Sequence, residues 1–353
     1  MIQNASVMAA RESDKRKLQM IDIARMAGVS TATVSRALNG SPLINAQTRQ
    51  RVMELARSLN YTINQSAKSL RQGVNRTVAV VIPYDQKIKQ NISDPFFLAI
   101  LGSLADALTE RDHEMLLSRV SVDRLDDIGA LYDTGRAMGL VVIGQWGHHD
   151  QLNELARREV PMVVWGAQLP RQLYATVGSD NVKGGFLATS HLLQLGRRRI
   201  AFMGDIAMPE AAQRHEGYTR AHEALGVPVD PQLHIPSAFT PESAQAAMRA
   251  FLDKSIPFDA LFAASDLMAI HAIGVMTRAG LTVPDDVSVV GYDDVDLAAH
   301  SFPPLTTVHQ PIVELAGSAL IDSLLNRLAG QAQESQLLPT TLTVRASTSA
   351  KPV

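Results

Sequence analysis

Two hydrophobic periodicities divide the chain. Between Met20 and Leu59 apolar residues recur every three or four positions in short stretches, the spacing of helices that bury one stripe. Ile23, Ala24 and Ala27 make one stripe and Val34, Ala37 and Leu38 a second, with Gly28-Val29 between them. Glycine allows the left-handed corner of a tight helix-turn-helix, and Ser30 is placed to cap the second helix. A third helix starts near Asn45 and carries Val52, Leu55, Ala56 and Leu59. Three such helices bury one small core. Thr31, Ala32, Thr33, Ser35, Arg36 and Asn39 then remain outward, short polar or basic groups able to approach base edges and phosphates in a major groove. Gln19 stands where the first helix needs a cap, and glutamine caps poorly.

After Arg76 the pattern changes to near-continuous apolar runs alternating with amphipathic stretches. The predicted strands are 78–83, 115–120, 140–144, 162–166, 200–205, 260–265 and 287–293. Runs of this kind suit parallel strands buried on both faces. Helix 97–111, with Phe97, Ile100, Leu101, Leu104 and Leu108 on one stripe, typifies the intervening elements. Repeated β-α units predict an α/β fold with doubly wound parallel sheets. The length of this region calls for two lobes.

Charge sharpens the division. Residues 1–76 hold 12 Lys and Arg against 4 Asp and Glu, while the remainder holds 21 against 31. A basic head on an acidic body points to a polyanion partner for the head alone. The chain has no cysteine, which excludes disulfides, thiolate catalysis and cysteine-based zinc sites. No apolar run is long enough to span a bilayer, and residues 1–19 lack a signal-peptide core, so a cytoplasmic protein is expected.

Ligands of open α/β sheets sit beyond the carboxyl ends of the strands. Asp266 directly follows one predicted strand and Arg214 lies in the segment after another. A carboxylate and a guanidinium facing one cleft suit a polyhydroxylated ligand, and Phe96, Phe97 and Phe239 could stack on a sugar ring. Other constellations read as bland. His148-His149-Asp150 reads as a solvated loop rather than a metal cluster, and Gly184-Gly185 fit neither a P-loop nor a dinucleotide fingerprint. No Ser-His-Asp or paired-carboxylate motif is evident, and neither an enzyme nor a cofactor is expected.

The stretch AGVSTATVSRALNG, continued through TRQRVMELARSLNYTINQSAKSLRQG, closely resembles the head of the lactose-repressor and galactose-repressor family. The resemblance extends through the body in DPFF (94–97), VGSDNVKGG (177–185), RHEGY (214–218), SDLMAIHAIG (265–274), VPDDVSVVGYDD (283–294) and PPLTTVHQP (303–311). It implies a flexible lead-in at 1–17, a helix-turn-helix domain at 18–63 and a hinge helix and linker at 64–76. An effector-binding and dimerisation domain at 77–348, built like a periplasmic sugar-binding protein, follows. Its lobes would be 77–178 with 309–340, and 179–308 with 341–348.

The DNA-facing set so implied is Ser30, Thr31, Ala32, Thr33, Ser35, Arg36, Asn39, Thr48, Tyr61, Asn64, Ala67, Lys68, Leu70 and Arg71. Leu70 would wedge a base step open from the minor groove, with Lys68 and Arg71 beside phosphates. Arg214, Asp266 and Phe239 match the family's effector positions, with Gln310 and Trp165 as weaker matches and Glu210 as an added acceptor beside Arg214. The Asp293-Asp294 pair is assigned to turns and lobe contacts. The implied function is that of a transcriptional regulator, a repressor of carbohydrate uptake or catabolism genes. It would bind roughly palindromic double-stranded operator DNA as a homodimer under control of a sugar. The alternatives are a non-sugar metabolite such as a purine, or a ligand-binding protein without a DNA role. Residues 345–353 carry no leucine heptads, which favours a dimer over a tetramer.

Overall fold

The computed structural model describes residues 18–38, 41–59, 75–86 and 90–351. The chain forms two compact units, Met1–Asn75 and Arg76–Val353.

In the first unit, helices α1 (Met20–Ala27), α2 (Thr31–Leu38) and α3 (Ala46–Ser58) bury Ile23, Ala24, Ala27, Val34, Ala37 and Val52 against one another. Gly28 adopts the left-handed conformation (φ 63°, ψ 33°) at the end of α1. Ser30 Oγ accepts from Thr33 N at 3.1 Å and opens α2. The start of α1 is met in a way the poor cap did not foretell: the Asp22 carboxylate accepts the Gln19 amide at 2.9 Å. Asn45 caps α3 by accepting from Thr48 N at 2.7 Å, and the Arg49 guanidinium fastens the connecting loop through the carbonyls of Ser41 and Ile44.

The second unit contains two six-stranded sheets. The first is built from β1 (Thr77–Tyr84), β2 (Glu114–Ser121), β3 (Gly139–Ile143), β4 (Met162–Trp165) and β5 (Ala175–Ser179). Between them lie α4 (Pro95–Glu110), a 3₁₀ turn leading into α5 (Gly129–Asp133), and α6 (His149–Arg157). The second sheet takes β6 (Ile200–Met203), β7 (His234–Ile235), β8 (Ala260–Ala263), β9 (Ser288–Asp293) and β10 (Thr306–His309). Its helices are α7 (Asn181–Gln194), α8 (Pro209–Ala224), α9 (Pro241–Asp253), α10 (Asp266–Arg278) and α11 (Asp296–His300). The chain then returns to the first sheet with α12 (Gly317–Leu328) and β11 (Gln336–Leu338), and ends in the second with β12 (Thr341–Thr343).

The strand orders are β11-β5-β4-β3-β1-β2 and β12-β10-β9-β8-β6-β7, parallel except where β12 meets β10. Along β1, Val78, Val80 and Ile82 face the core under α4 and α12, while Ala79 and Val81 face the core on the opposite side. This explains a strand without polar alternation. β2 departs from the expectation of burial: as the edge strand it leaves Met115 and Leu117 exposed. Strands β5, β7, β10, β11 and β12 escape hydropathy because they are short or rich in Thr, Ser and Gly. Beyond β12 the chain stays docked, with Lys351 Nζ 2.9 Å from Asp259 and Ser347 Oγ donating to the Val289 carbonyl.

The chain passes between the sheets three times: after β5, after β10 and between β11 and β12. Asp294 ties together the segments at the last two passages. Its carboxylate accepts from Arg345 at 2.6 Å and Thr343 Oγ1 at 3.0 Å, and lies 3.1 Å from His309 Nδ1.

Candidate functional site

Both sheets reverse their strand order at one point, between β1 and β3 in the first and between β6 and β8 in the second. Loops leave such a switch point to opposite sides and open a crevice at the carboxyl ends of the strands. The two crevices face each other across one cleft of about 690 Å³, solvent at its mouth included. From the first sheet come Gln90, Asp94 and Phe96 after β1, Gln145 and Trp146 after β3, and Trp165 at the end of β4. The second supplies Glu210 and Arg214 after β6, Phe239 before α9, Ser265 after β8 and Asp293 at the end of β9.

Arg214 is 6% exposed, with Nε and Nη1 both engaged. Nε donates to Asn181 Oδ1 at 2.8 Å, Nη1 donates to the Ala264 carbonyl, and Nη1 lies 3.9 Å from Asp293 Oδ1. The guanidinium stacks 3.7 Å above the Tyr292 ring and stands 6.0 Å from Phe239. Its position rests on two glycines. A Cβ on Gly185 would stand 2.1 Å from the Arg214 carbonyl oxygen, and one on Gly217 would stand 2.1 Å from that of Val182. Gly185 and Gly217 thus serve close packing of α7 on α8, and Gly184 makes room for the Tyr292 ring, which no nucleotide motif describes.

Asp293 ends β9 with φ at 121°, a conformation that L side chains adopt only under strain. Gln310 Nε2 donates to its Oδ1 at 2.6 Å. Burial raises the Asp293 carboxyl to about 7, opposed by Arg214 and reinforced by Asp94. Asp94 caps α4 by accepting from Phe96 N at 3.0 Å, and burial raises its carboxyl too. Burial also raises Glu210, against the pull of Arg214 one helical turn along.

Six of the eight predicted effector residues line the cleft: Phe96, Phe97, Trp165, Glu210, Arg214 and Phe239. Phe97 is largely a core residue, and Phe96 packs beside Trp165 with ring centroids 6.3 Å apart. Asp266 and Gln310 are not on its wall. Asp266 is fully buried with both oxygens engaged, by Thr307 Oγ1 and by Val295 N at 3.0 Å, so it ties α10 to the segments after β9 and in β10. Gln310 acts through Asp293. Of the two acids, the one presented to the cleft is therefore Asp293, which the sequence assigned to turns and lobe contacts. Gln90, Asp94, Gln145 and Trp146 were also missed. The signal was available, since each follows a strand at a switch point, but strand order is not written in hydropathy. His149 also differs from expectation. It opens α6, and its ring nitrogens meet Tyr174 Oη at 2.9 Å and the Pro170 carbonyl at 3.1 Å. Among the described residues no group of three or more His, Cys, Asp or Glu could hold a metal ion.

In the first unit, Ser30, Thr31, Ala32 and Arg36 are exposed around α2, and Thr33, Ser35 and Thr48 are half-buried. Thr33 Oγ1 lies 2.9 Å from Ser30 Oγ, so the two hydroxyls are oriented together. Asn39, Tyr61, Asn64, Ala67, Lys68, Leu70 and Arg71 lie outside the described residues.

Comparison with known proteins decides the family. Residues 19–64 match the family described as "Bacterial regulatory proteins, lacI family", and residues 189–348 match a periplasmic binding protein-like domain. The chain is 36% identical over 343 residues to the HTH-type transcriptional regulator CelR of Thermobifida fusca, covering 94% of this chain and 99% of that protein. The chain belongs to the lacI family of bacterial regulatory proteins. It is thus a transcriptional regulator, and its relatives are named as regulators and repressors, not as enzymes. Among solved structures, a CelR–cellobiose complex superposes with a TM-score of 0.69 at 33% identity, covering 94% of this chain and 99% of that one. A lac repressor dimer bound to operator and an anti-inducer superposes with a TM-score of 0.81 at 26% identity, covering 95% and 100%. Among the described residues no helix is long and apolar enough to cross a membrane.

Proposed function

We propose that this lacI-family regulator is a homodimeric repressor of carbohydrate uptake or catabolism genes, released or engaged by a sugar in the cleft. The observation that carries the reading is the construction of that cleft: aromatic walls from Phe96, Trp165 and Phe239, with Asp94, Glu210, Arg214 and Asp293 among them. Aromatic faces favour the apolar face of a sugar ring, and carboxyls and guanidinium satisfy its hydroxyls. The cellobiose held by the CelR complex supports the same ligand class. Arg214 and Asp293 on the cleft wall bond Asn181 and Gln310, which lie at the first two passages between the sheets, so closure on a ligand alters the relative setting of the lobes. In a dimer that setting fixes the spacing of the two hinges at 64–76, and with it whether Leu70 reaches the minor groove. The exposed face of α2, with Ser30, Thr31, Ala32 and Arg36, reads a half-site in the major groove. Coupling of this kind is typically about 1–3 kcal/mol and reciprocal between DNA and ligand.

Selection of genomic DNA fragments by the purified protein tests this, with and without a panel of sugars, nucleosides and purine bases. A retained palindrome beside transport or glycoside-processing genes, with retention altered by a sugar, is the expected result. Response to a purine alone would replace the sugar, and absence of any selected sequence under all conditions would overturn the DNA-reading role.

A further inference from the structure

We propose that the cleft excludes anionic ligands, so that the effector is an uncharged, hydroxyl-rich molecule and not its phosphate ester or acid. The inference rests on the cleft being the effector site, as proposed above, and adds the charge of what enters.

The described walls carry three carboxyls and a single guanidinium. Asp94 belongs to the first sheet's lobe, Glu210 and Asp293 to the second's, so a ligand between the lobes meets carboxyls on both sides. Arg214 is poorly placed to compensate a further negative charge. Its Nε and Nη1 are committed to Asn181 and the Ala264 carbonyl, and Asp293 already stands 3.9 Å away as its counter-ion. The neighbouring cation Arg119 is outside the cleft wall, donating to the Gln90 carbonyl and stacking 4.5 Å over Tyr84.

Hydroxyl groups both donate and accept, so a polyol satisfies these carboxyls whether or not they are protonated. A phosphate or carboxylate chiefly accepts. It would bury its charge beside Asp94 and Asp293, and like-charge juxtaposition of this sort discriminates strongly. The elevated carboxyls fit the same picture: burial raises both Asp94 and Asp293, and the Asp94 charge adds to the rise at Asp293, before any ligand charge is added.

The test separates a bacterial metabolite extract on an anion-exchange resin into an unretained pool and a retained, anionic pool. Each is added to the full-length protein, and the thermal unfolding midpoint and tryptophan fluorescence are recorded. Stabilisation by the unretained pool and none by the anionic pool is expected. For a compound identified there, its own phosphate ester should bind at least about 100-fold more weakly. D94N keeps a capping side chain on α4, and with D293N it should narrow that ratio about tenfold or more. Equal or greater stabilisation by the anionic pool would overturn the exclusion while leaving the effector site intact. A ratio untouched in D94N/D293N would overturn its cause. Silence from both pools would overturn the effector site itself, and the charge rule with it.

Discussion

At the residue scale the cleft turns on Arg214 and on the carboxyl that faces it. Replacing Arg214 with Ala strands the Asp293 carboxyl, Asn181 Oδ1 and the Ala264 carbonyl, and breaking a buried pair in this way typically costs about 3–5 kcal/mol. R214K keeps the charge but loses the planar stack over Tyr292. R214K is expected to fold and to bind effector about tenfold or more weakly, measured by calorimetry; wild-type affinity would remove Arg214 from the ligand. Asp293 supplies a pH test. Its carboxyl lies above its ordinary value of 3.8, at about 7, so the folded state holds a proton that the unfolded chain has released. Stability from this group is full below pH 4 and declines as pH rises towards 7. Urea titrations should show wild type losing ground to D293N between those limits, and a constant difference would mean that Asp293 titrates normally in the fold.

At the element scale, capping and close approach govern. Asn45→Ala removes the acceptor for Thr48 N and should destabilise the first unit by about 1 kcal/mol in chemical denaturation. Gly185→Ala probes α7 against α8, where the new methyl must displace the Arg214 backbone. A cost of about 1–3 kcal/mol is expected, together with weaker effector binding. Unchanged binding would show that Arg214 keeps its place without the glycine. These elements were unequally legible. The stripes of α1, α2, α3 and α4 were plain because each buries one face. β5, with Thr176, Gly178 and Ser179, and the two-residue β7 were not, because tertiary pairing makes them strands.

At the scale of the whole molecule, the basic head should carry the salt dependence of DNA binding, since each neutralised phosphate releases counter-ions. Leu70 carries no charge. Leu70→Ala is accordingly expected to weaken operator binding by about 10- to 100-fold while leaving the slope against salt concentration unchanged, as read by fluorescence anisotropy. Undiminished affinity would dismiss the wedge.

By itself the sequence determined the helical head, the α/β body and the family, because burial period, charge and local motifs are properties of neighbouring residues. It also named Arg214, Glu210, Phe239, Phe96 and Trp165, through their places after strands or in motifs. Tertiary structure decided which carboxyl meets the cleft. Asp266 and Asp293 are both acids at or just past the carboxyl end of a strand, and only the folded chain shows Thr307 Oγ1 and the Val295 amide occupying Asp266. The twist at Asp293 leaves its carboxyl beside Arg214. Strand order decided the rest: Asp94, Gln145 and Trp146 share a wall because β1 lies next to β3, a pairing between segments more than 50 residues apart.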